Sequence, residues 1–225
     1  MATEMNSMLT SYAGLLGIGT LDTIYMTLAS AFIAYLFGLP LGVALVVTDA
    51  GGVRPLVRFN RVLGAAVNVV RSVPFIILLI AVIPFTRFVV GTSIGSTASI
   101  VPLALGAVPF IARMVESSLK ELDAGAVEAA QSMGASVPQI ILRVMLPECL
   151  PSLILGATIA VITLIGYSAM AGTVGGGGLG DIAIRYGYYR YQNDLMVLTI
   201  LLLLLIVQAF QSIGNHLSRK ADRKQ

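Results

Sequence analysis

The chain has 225 residues, of which 57% are hydrophobic and 11% charged. A soluble domain carries about 25% charged residues, so this composition leaves too little polar surface to keep such a chain in water. The net charge is +3, but the basic residues are scattered and no aromatic-rich basic surface accompanies them, which excludes nucleic acid as a partner.

One cysteine, Cys149, excludes an internal disulfide and a cysteine metal cluster. One histidine, His216, argues against a histidine metal site. No metal or other cofactor is expected. No Lys or Arg precedes Arg54, so the N-terminus lacks the positive start of a signal peptide.

A bilayer core about 30 Å thick is crossed by about 20 apolar helical residues. Five stretches meet this length, at about 25–47, 62–83, 94–115, 150–170 and 195–213. The second contains Asn68 and Arg71, and the third contains Pro102 and Pro109. The expected fold is therefore all-α: one membrane domain over 1–225 with five transmembrane helices. Arg54, Arg58 and Arg61 fall between spans one and two. Arg113, Lys120 and Arg143 fall at or between spans three and four, and Arg219, Lys220, Arg223 and Lys224 follow span five. Only Arg87, Arg185 and Arg190 fall on the other side. The positive-inside rule then places the N-terminus outside and the C-terminus in the cytoplasm.

The cytoplasmic segment Glu116 to Pro147 is the longest expected outside the membrane. Within it, residues 122–151 read as two short helices. Asp123 is placed to cap the first, and Gly134 to end it in a left-handed conformation. Ser136 with Gln139 three residues later forms a capping box for the second. Pro147 and Pro151 interrupt the path into span four. Val127, Ala130 and Met133 put a low apolar face on the first helix. Such a rigid helix pair suits docking into a groove on a partner, although a solvated loop with helical turns also fits the residues.

An arginine at a helix centre costs about 2.5–3.5 kcal/mol on insertion scales. Two positions suit Arg71: facing a translocation path or dimer axis together with Asn68, or snorkelling at the cytoplasmic end. Phe110, beside Pro109, suits either a bend around a cavity or close packing. Tyr167, Ser168 and Met170 close span four, where a gate and a core role are both open. Gly175, Gly177 and Gly180 formally satisfy G-x-G-x-x-G, but no strand precedes them and no Gly-Lys-Ser/Thr follows. The stretch is read as a flexible turn where helices cross closely, and the chain shows no ATP-hydrolysing machinery.

Glu128-Ala129-Ala130, then Gly134, then Leu146-Pro147 resemble the signature loop of bacterial ABC importer permeases, with Val144 in place of its isoleucine. Residues 71–79, 83–87, 90–95, 109–116 and 166–170 resemble, within that family, the methionine importer permeases. The resemblance covers the chain from about Leu39 onward. It implies a cytoplasmic coupling helix between spans three and four that inserts into a cleft on an ATPase. Glu128, Ala129, Ala130, Gly134, Leu146 and Pro147 would be the coupling residues. It further implies two ATP-binding cassette subunits, a second copy of this chain and an extracytoplasmic substrate-binding protein near the glycine-rich loop. The whole would sit among the lipids of a bacterial inner membrane. The substrate it implies is an amino acid, methionine, with the D enantiomer left open beside the L. The chain itself is then a transport subunit and not an enzyme. The competing reading is a secondary transporter or channel that works without an ATPase. Such folds often carry inverted repeats, whereas five spans do not divide into halves. An intramembrane enzyme lacks a nucleophile, metal site or acid–base pair among the spans.

Overall fold

The computed structural model describes the backbone of residues 2–222 and the side chains of residues 12–222. The described chain is helical, in the order α1 (Ala2–Val47), α2 (Val57–Ser72), α3 (Phe75–Ala81), α4 (Ile83–Val90), α5 (Ser96–Lys120), α6 (Ala124–Ser132), α7 (Val137–Ile140), α8 (Leu146–Glu148), α9 (Leu150–Ala171), α10 (Gly178–Ile182) and α11 (Asn193–Ala221). Two π turns, Ile141–Met145 and Ala183–Tyr188, and a 3₁₀ turn, Gly172–Val174, join neighbouring pieces.

Among the described residues, four helices are long and apolar enough to cross a membrane: Tyr12–Val47, Ser96–Lys120, Leu150–Val174 and Asn193–Ala221. The count is five if the broken pair Val57–Ser72 and Phe75–Ala81 forms one span. The second span expected over 62–83 is thus not continuous. Val73 is extended (φ −76°, ψ 124°), as is Pro74 (φ −56°, ψ 134°). A residue before proline is pushed out of the helical region, and proline has no N–H for the preceding turn. The first span starts well before Tyr25, because Asp22 and the glycines at 14, 17 and 19 lower the hydropathy without interrupting the helix. The third runs on to Lys120, so Glu116 and Lys120 remain helical and pair across one turn.

The chain forms two compact units, and each long helix contributes to both. The first comprises Met1–Phe32, Pro74–Leu105 and Val161–Phe210. Its core gathers Leu16, Leu179, Ile182 and Leu195, with Tyr12 and Tyr186 packed against them. The second comprises Ile33–Val73, Gly106–Ala160 and Gln211–Gln225. Leu45, Val67 and Ala112 form its apolar cluster.

Helix pairing within lipid gains little from the hydrophobic effect and relies on close contact and polar links. In the second unit, Gly38 and Gly42 are one turn apart on α1. Gly42 lies against Ala112 and Val115 of α5, where an added Cβ would stand 2.6 Å from the Ala112 carbonyl oxygen and from Val115 Cβ. The Asn60 amide donates to the Leu45 carbonyl at 2.6 Å, Arg113 to the Gly64 carbonyl at 2.9 Å, and Ser218 to the Pro151 carbonyl at 3.0 Å. Outward, α11 leaves Leu201, Leu204 and Leu205 exposed, an apolar band of the kind that faces lipid.

Gly42→Leu drives a side chain into backbone that cannot retreat. The variant should lose about 2 kcal/mol, lowering the melting temperature in detergent by roughly 4–8 °C, as read by scanning calorimetry or fluorescence-detected gel filtration. An unchanged melting temperature would remove this contact from the account.

Candidate functional site

The polar segment after α5 folds as the cap residues dictate. Asp123 precedes α6 in an extended conformation, and its carboxylate accepts the Gly125 N–H at 2.8 Å. At the other end Gly134 has φ +77°. Its N–H donates to the Gln131 carbonyl at 2.9 Å, and the Ala135 N–H donates to the Ala130 carbonyl at 3.1 Å. This pair of bonds is a Schellman closure, which needs a left-handed residue just past the helix. Ser136 then opens α7, and its N–H donates to Gln139 Oε1 at 2.8 Å, within the capping box expected from the sequence. The ladder widens into a π turn at 141–145. Pro147 supplies no N–H for the Arg143 carbonyl, which accounts for that widening. The helix ends at Glu148, and α9 begins at Leu150.

This frame divides the sequence motif. Glu128 and Ala129 are exposed, whereas Ala130 is buried at 4% exposure. Gly134 and Pro147 are exposed, and Leu146 is half-buried. The low apolar face expected of Val127, Ala130 and Met133 is therefore split. Ala130 packs inward, Val127 is half-buried, and Met133 is 81% exposed at the helix end. Leu142 in the π turn 141–145 is 65% exposed. The sequence reading placed Met133 on the apolar face suited to docking but passed over Leu142 as an outward apolar contact.

Beneath α6 an ion network ties the first polar loop to α5. Arg113 donates to Glu116 at 2.5 Å, Lys120 pairs with Glu116 at 2.9 Å, and Lys120 pairs with Asp49 at 3.1 Å. The hydrogen bond from Lys120 holds the Asp49 carboxyl below its ordinary value, with help from the Ala50 N–H. A cavity of about 240 Å³ lies above this network, bounded by Gly52, Lys120, Val127, Glu128 and Gln131. Lys120 and Arg113, read from the sequence as topology signals, also brace the floor under the loop.

The remaining candidate residues fall in different places. Asn68, Arg71 and Phe110 belong to the second unit, and Tyr167, Ser168 and Met170 to the first. Arg71 is exposed in the last turn of α2, where a cation suits the exposed carbonyl end of a helix. Asn68 is exposed one turn earlier, and Phe110 is half-buried. Tyr167 stacks on Phe75 with ring centres 4.3 Å apart and planes 2° apart. The Ser168 hydroxyl is buried and donates to the Ile165 carbonyl at 2.7 Å, so it serves its own helix. Met170 is 47% exposed.

The glycine-rich stretch, read as a flexible turn where helices cross closely, packs closely and is hydrogen-bonded to its neighbours. Gly95 donates to the Gly175 carbonyl and Gly176 to the Ala171 carbonyl, both at 2.9 Å. The Thr23 hydroxyl receives the Leu179 N–H at 2.9 Å. Asp22, passed over because the first span was started at Tyr25, lies beside this turn. A Cβ on Gly177 would be 3.7 Å from Asp22 Oδ2.

Among the described residues no three His, Cys, Asp or Glu side chains group as a metal site requires. Cys149 is buried, and burial first, then the charges of Glu121 and Glu148, push its thiol up, the reverse of a reactive thiolate.

Residues 38–223 match the family described as binding-protein-dependent transport system inner membrane component. The chain belongs to that family. The "Probable D-methionine transport system permease protein MetI" of Vibrio cholerae is 52% identical over 210 residues, 93% of each chain. The "D-methionine transport system permease protein MetI" of Salmonella typhimurium is 54% identical over 154 residues, 68% of this chain and 71% of its own length. Among solved structures, an inward-facing conformation of the MetNI methionine ABC transporter matches with TM-score 0.92 and 49% identity, covering 93% of this chain and 97% of that one. An amino acid ABC transporter with histidines matches with TM-score 0.77 at 19% identity, over 94% and 96% of the chains. At that identity the likeness is one of fold alone. The chain is thus a multi-pass permease component of the bacterial inner membrane.

Two outcomes follow for this permease. Gly134→Val places a branched side chain at φ +77°, a conformation costing at least about 1–2 kcal/mol. Amide exchange in 124–136 should accelerate severalfold while exchange in α5 and α9 stays unchanged; uniform exchange would show that the closure is not needed. The depressed Asp49 carboxyl contributes stability above its ordinary value of 3.8 and loses it as pH falls through the lower folded value. Asp49→Asn should therefore cost less than about 1 kcal/mol at pH 7. The difference from wild type should vanish as pH drops well below 3.8; a difference that persists in acid would point to packing instead.

Proposed function

We propose that this chain is the membrane-spanning subunit of an ATP-driven importer of methionine, in which α6 transmits the state of a separate ATPase to the membrane helices. The observation that carries this reading is the shape of the loop. Glu128, Ala129, Met133 and Gly134 are presented outward on a short helix with both ends closed, while Ala130 is buried and the helix packs against the π turn 141–145. A firmly seated knob passes on a push, whereas a loose loop would absorb it. The 49% identity to the methionine ABC transporter structure and the names of the relatives support methionine as the substrate, with the D enantiomer accepted as well as the L.

In this reading two ATPase subunits receive the loops of two copies of the permease. ATP-driven closure of the ATPases moves the paired α6 helices, and the membrane helices alternate between inward and outward states. Substrate passes from an outer binding protein between the two copies, and no bond in it changes. The excess of Lys and Arg in the loops around Arg54 and Arg143 and after α11 supports a cytoplasmic position for α6 and the C-terminus. The whole of 1–225 acts as one permease domain, with Asn68, Arg71, Phe110, Tyr167 and Met170 as candidates for its path.

The test is uptake of labelled methionine into proteoliposomes holding the permease, its ATPase subunit and its binding protein. Uptake should require hydrolysable ATP. Glu128→Arg and Gly134→Trp should cut it at least ten-fold while the protein still inserts and dimerises. Uptake of equal rate without the ATPase, untouched by either loop variant, would instead favour a secondary transporter.

A further inference from the structure

Within the first unit, α3, α4, the start of α5 and the glycine-rich turn enclose a cavity of about 210 Å³. Leu79, Ile83, Ala98, Pro102 and Val174 give it apolar walls. Thr86 also lines it, is 3% exposed, and its hydroxyl has no hydrogen-bond partner. The other hydroxyls on the wall are engaged. Ser99 donates to the Gly95 and Gly176 carbonyls, each at 3.1 Å, and Ser93 accepts from Arg87 Nε at 3.2 Å.

A helical threonine commonly bonds back to the carbonyl four residues earlier. Thr23, Thr48, Thr158 and Thr199 do so in this chain. Thr86 does not, although its own backbone N–H donates to the Val82 carbonyl at 2.8 Å. A buried donor left unpaired is costly, and in a native fold it calls for a partner.

We infer that this cavity is a subsite for the side chain of the transported amino acid, and that the Thr86 hydroxyl donates to a thioether sulfur there. The inference rests on the methionine reading given above. A thioether side chain is apolar along its length and offers one weak acceptor, which matches apolar walls carrying one free donor. A strongly polar side chain would bury groups with no partner. A purely aliphatic one would leave Thr86 unpaired, and sites built around a hydrogen bond discriminate against analogues lacking it. Arg87, next to Thr86 on α4, is exposed and its Nε donates to Ser93 at the cavity wall, which leaves a cation beside the cavity and available to an amino acid carboxylate. Leu79 lies one turn along α3 from Phe75, whose ring stacks on Tyr167, so the cavity shares a helix with the stacking partner of a residue already nominated for the path.

The experiment compares methionine uptake by the reconstituted importer for wild type, Thr86→Val, Thr86→Ser and Ala98→Leu, at equal recovery of the assembled complex. Thr86→Val keeps the shape and removes the donor. It should slow uptake about five-fold, the change expected for one hydrogen bond. Thr86→Ser should restore uptake to near wild type, and Ala98→Leu, which fills the cavity, should slow it more than Thr86→Val does. Wild-type rates in both Thr86→Val and Ala98→Leu would overturn the subsite and leave the methionine reading standing. A slow Thr86→Val that Thr86→Ser does not rescue would also overturn it, because shape and not the hydroxyl would then be responsible. No methionine uptake by wild type would remove both.

Discussion

In hydrocarbon a backbone N–H or C=O has no water to turn to, and each unpaired group costs several kcal/mol. That constraint shapes every part of this chain. It makes the apolar stretches helices, and it restricts where those helices can stop. The glycine-rich turn interrupts helical structure, yet Gly95, Gly176 and the Thr23 hydroxyl take up its freed groups. Polar side chains elsewhere act as links between helices: Asn60 to the Leu45 carbonyl, Arg113 to the Gly64 carbonyl, Ser218 to the Pro151 carbonyl. Against that background the unpaired buried hydroxyls of Thr27 and Thr86 stand out, and Thr86 lines a cavity.

The same constraint separates the loop after α5 from its support. The loop after α5 can use Asp123, Gly134 and Ser136 as caps because it lies outside the apolar spans. Its rigidity comes from local bonds, and its attachment comes from burial of Ala130 and packing of the helix against the π turn 141–145. A knob with closed ends gives a partner something to push, and the neighbouring ion network continues along α5 through Arg113. In the proposed reading, function therefore depends on an element that carries little of the apolar packing.

Much of this was legible in the amino-acid order, for physical reasons that differ from place to place. Long apolar runs gave away the spans, because length and hydropathy alone decide them. The two helices of the loop were legible down to their caps, since Asp123, Gly134 and the Ser136–Gln139 pair act within three residues of themselves. The division of Glu128 and Ala129 from Ala130 was not, because side-chain facing depends on what the rest of the fold places underneath. Pro74 was visible, but a proline within an apolar stretch is compatible with a kinked helix or a full break, and only the extended Val73 decides it. The start of the first span was hidden because Asp22 reads as a boundary until the turn beside it is known. The Thr86 cavity had no sequence signal, as a threonine in a helix ordinarily satisfies its own hydroxyl.

The central claim is that the end of α6 touches an ATPase. It is tested most directly by cross-linking from Met133→Cys in a Cys149→Ser background, using the purified permease–ATPase complex and a short thiol–amine reagent. The account predicts an adduct joining the permease to the ATPase subunit at position 133, and none from a control cysteine replacing the exposed Phe88 of α4. No adduct from position 133, or an equal yield from both positions, would contradict it.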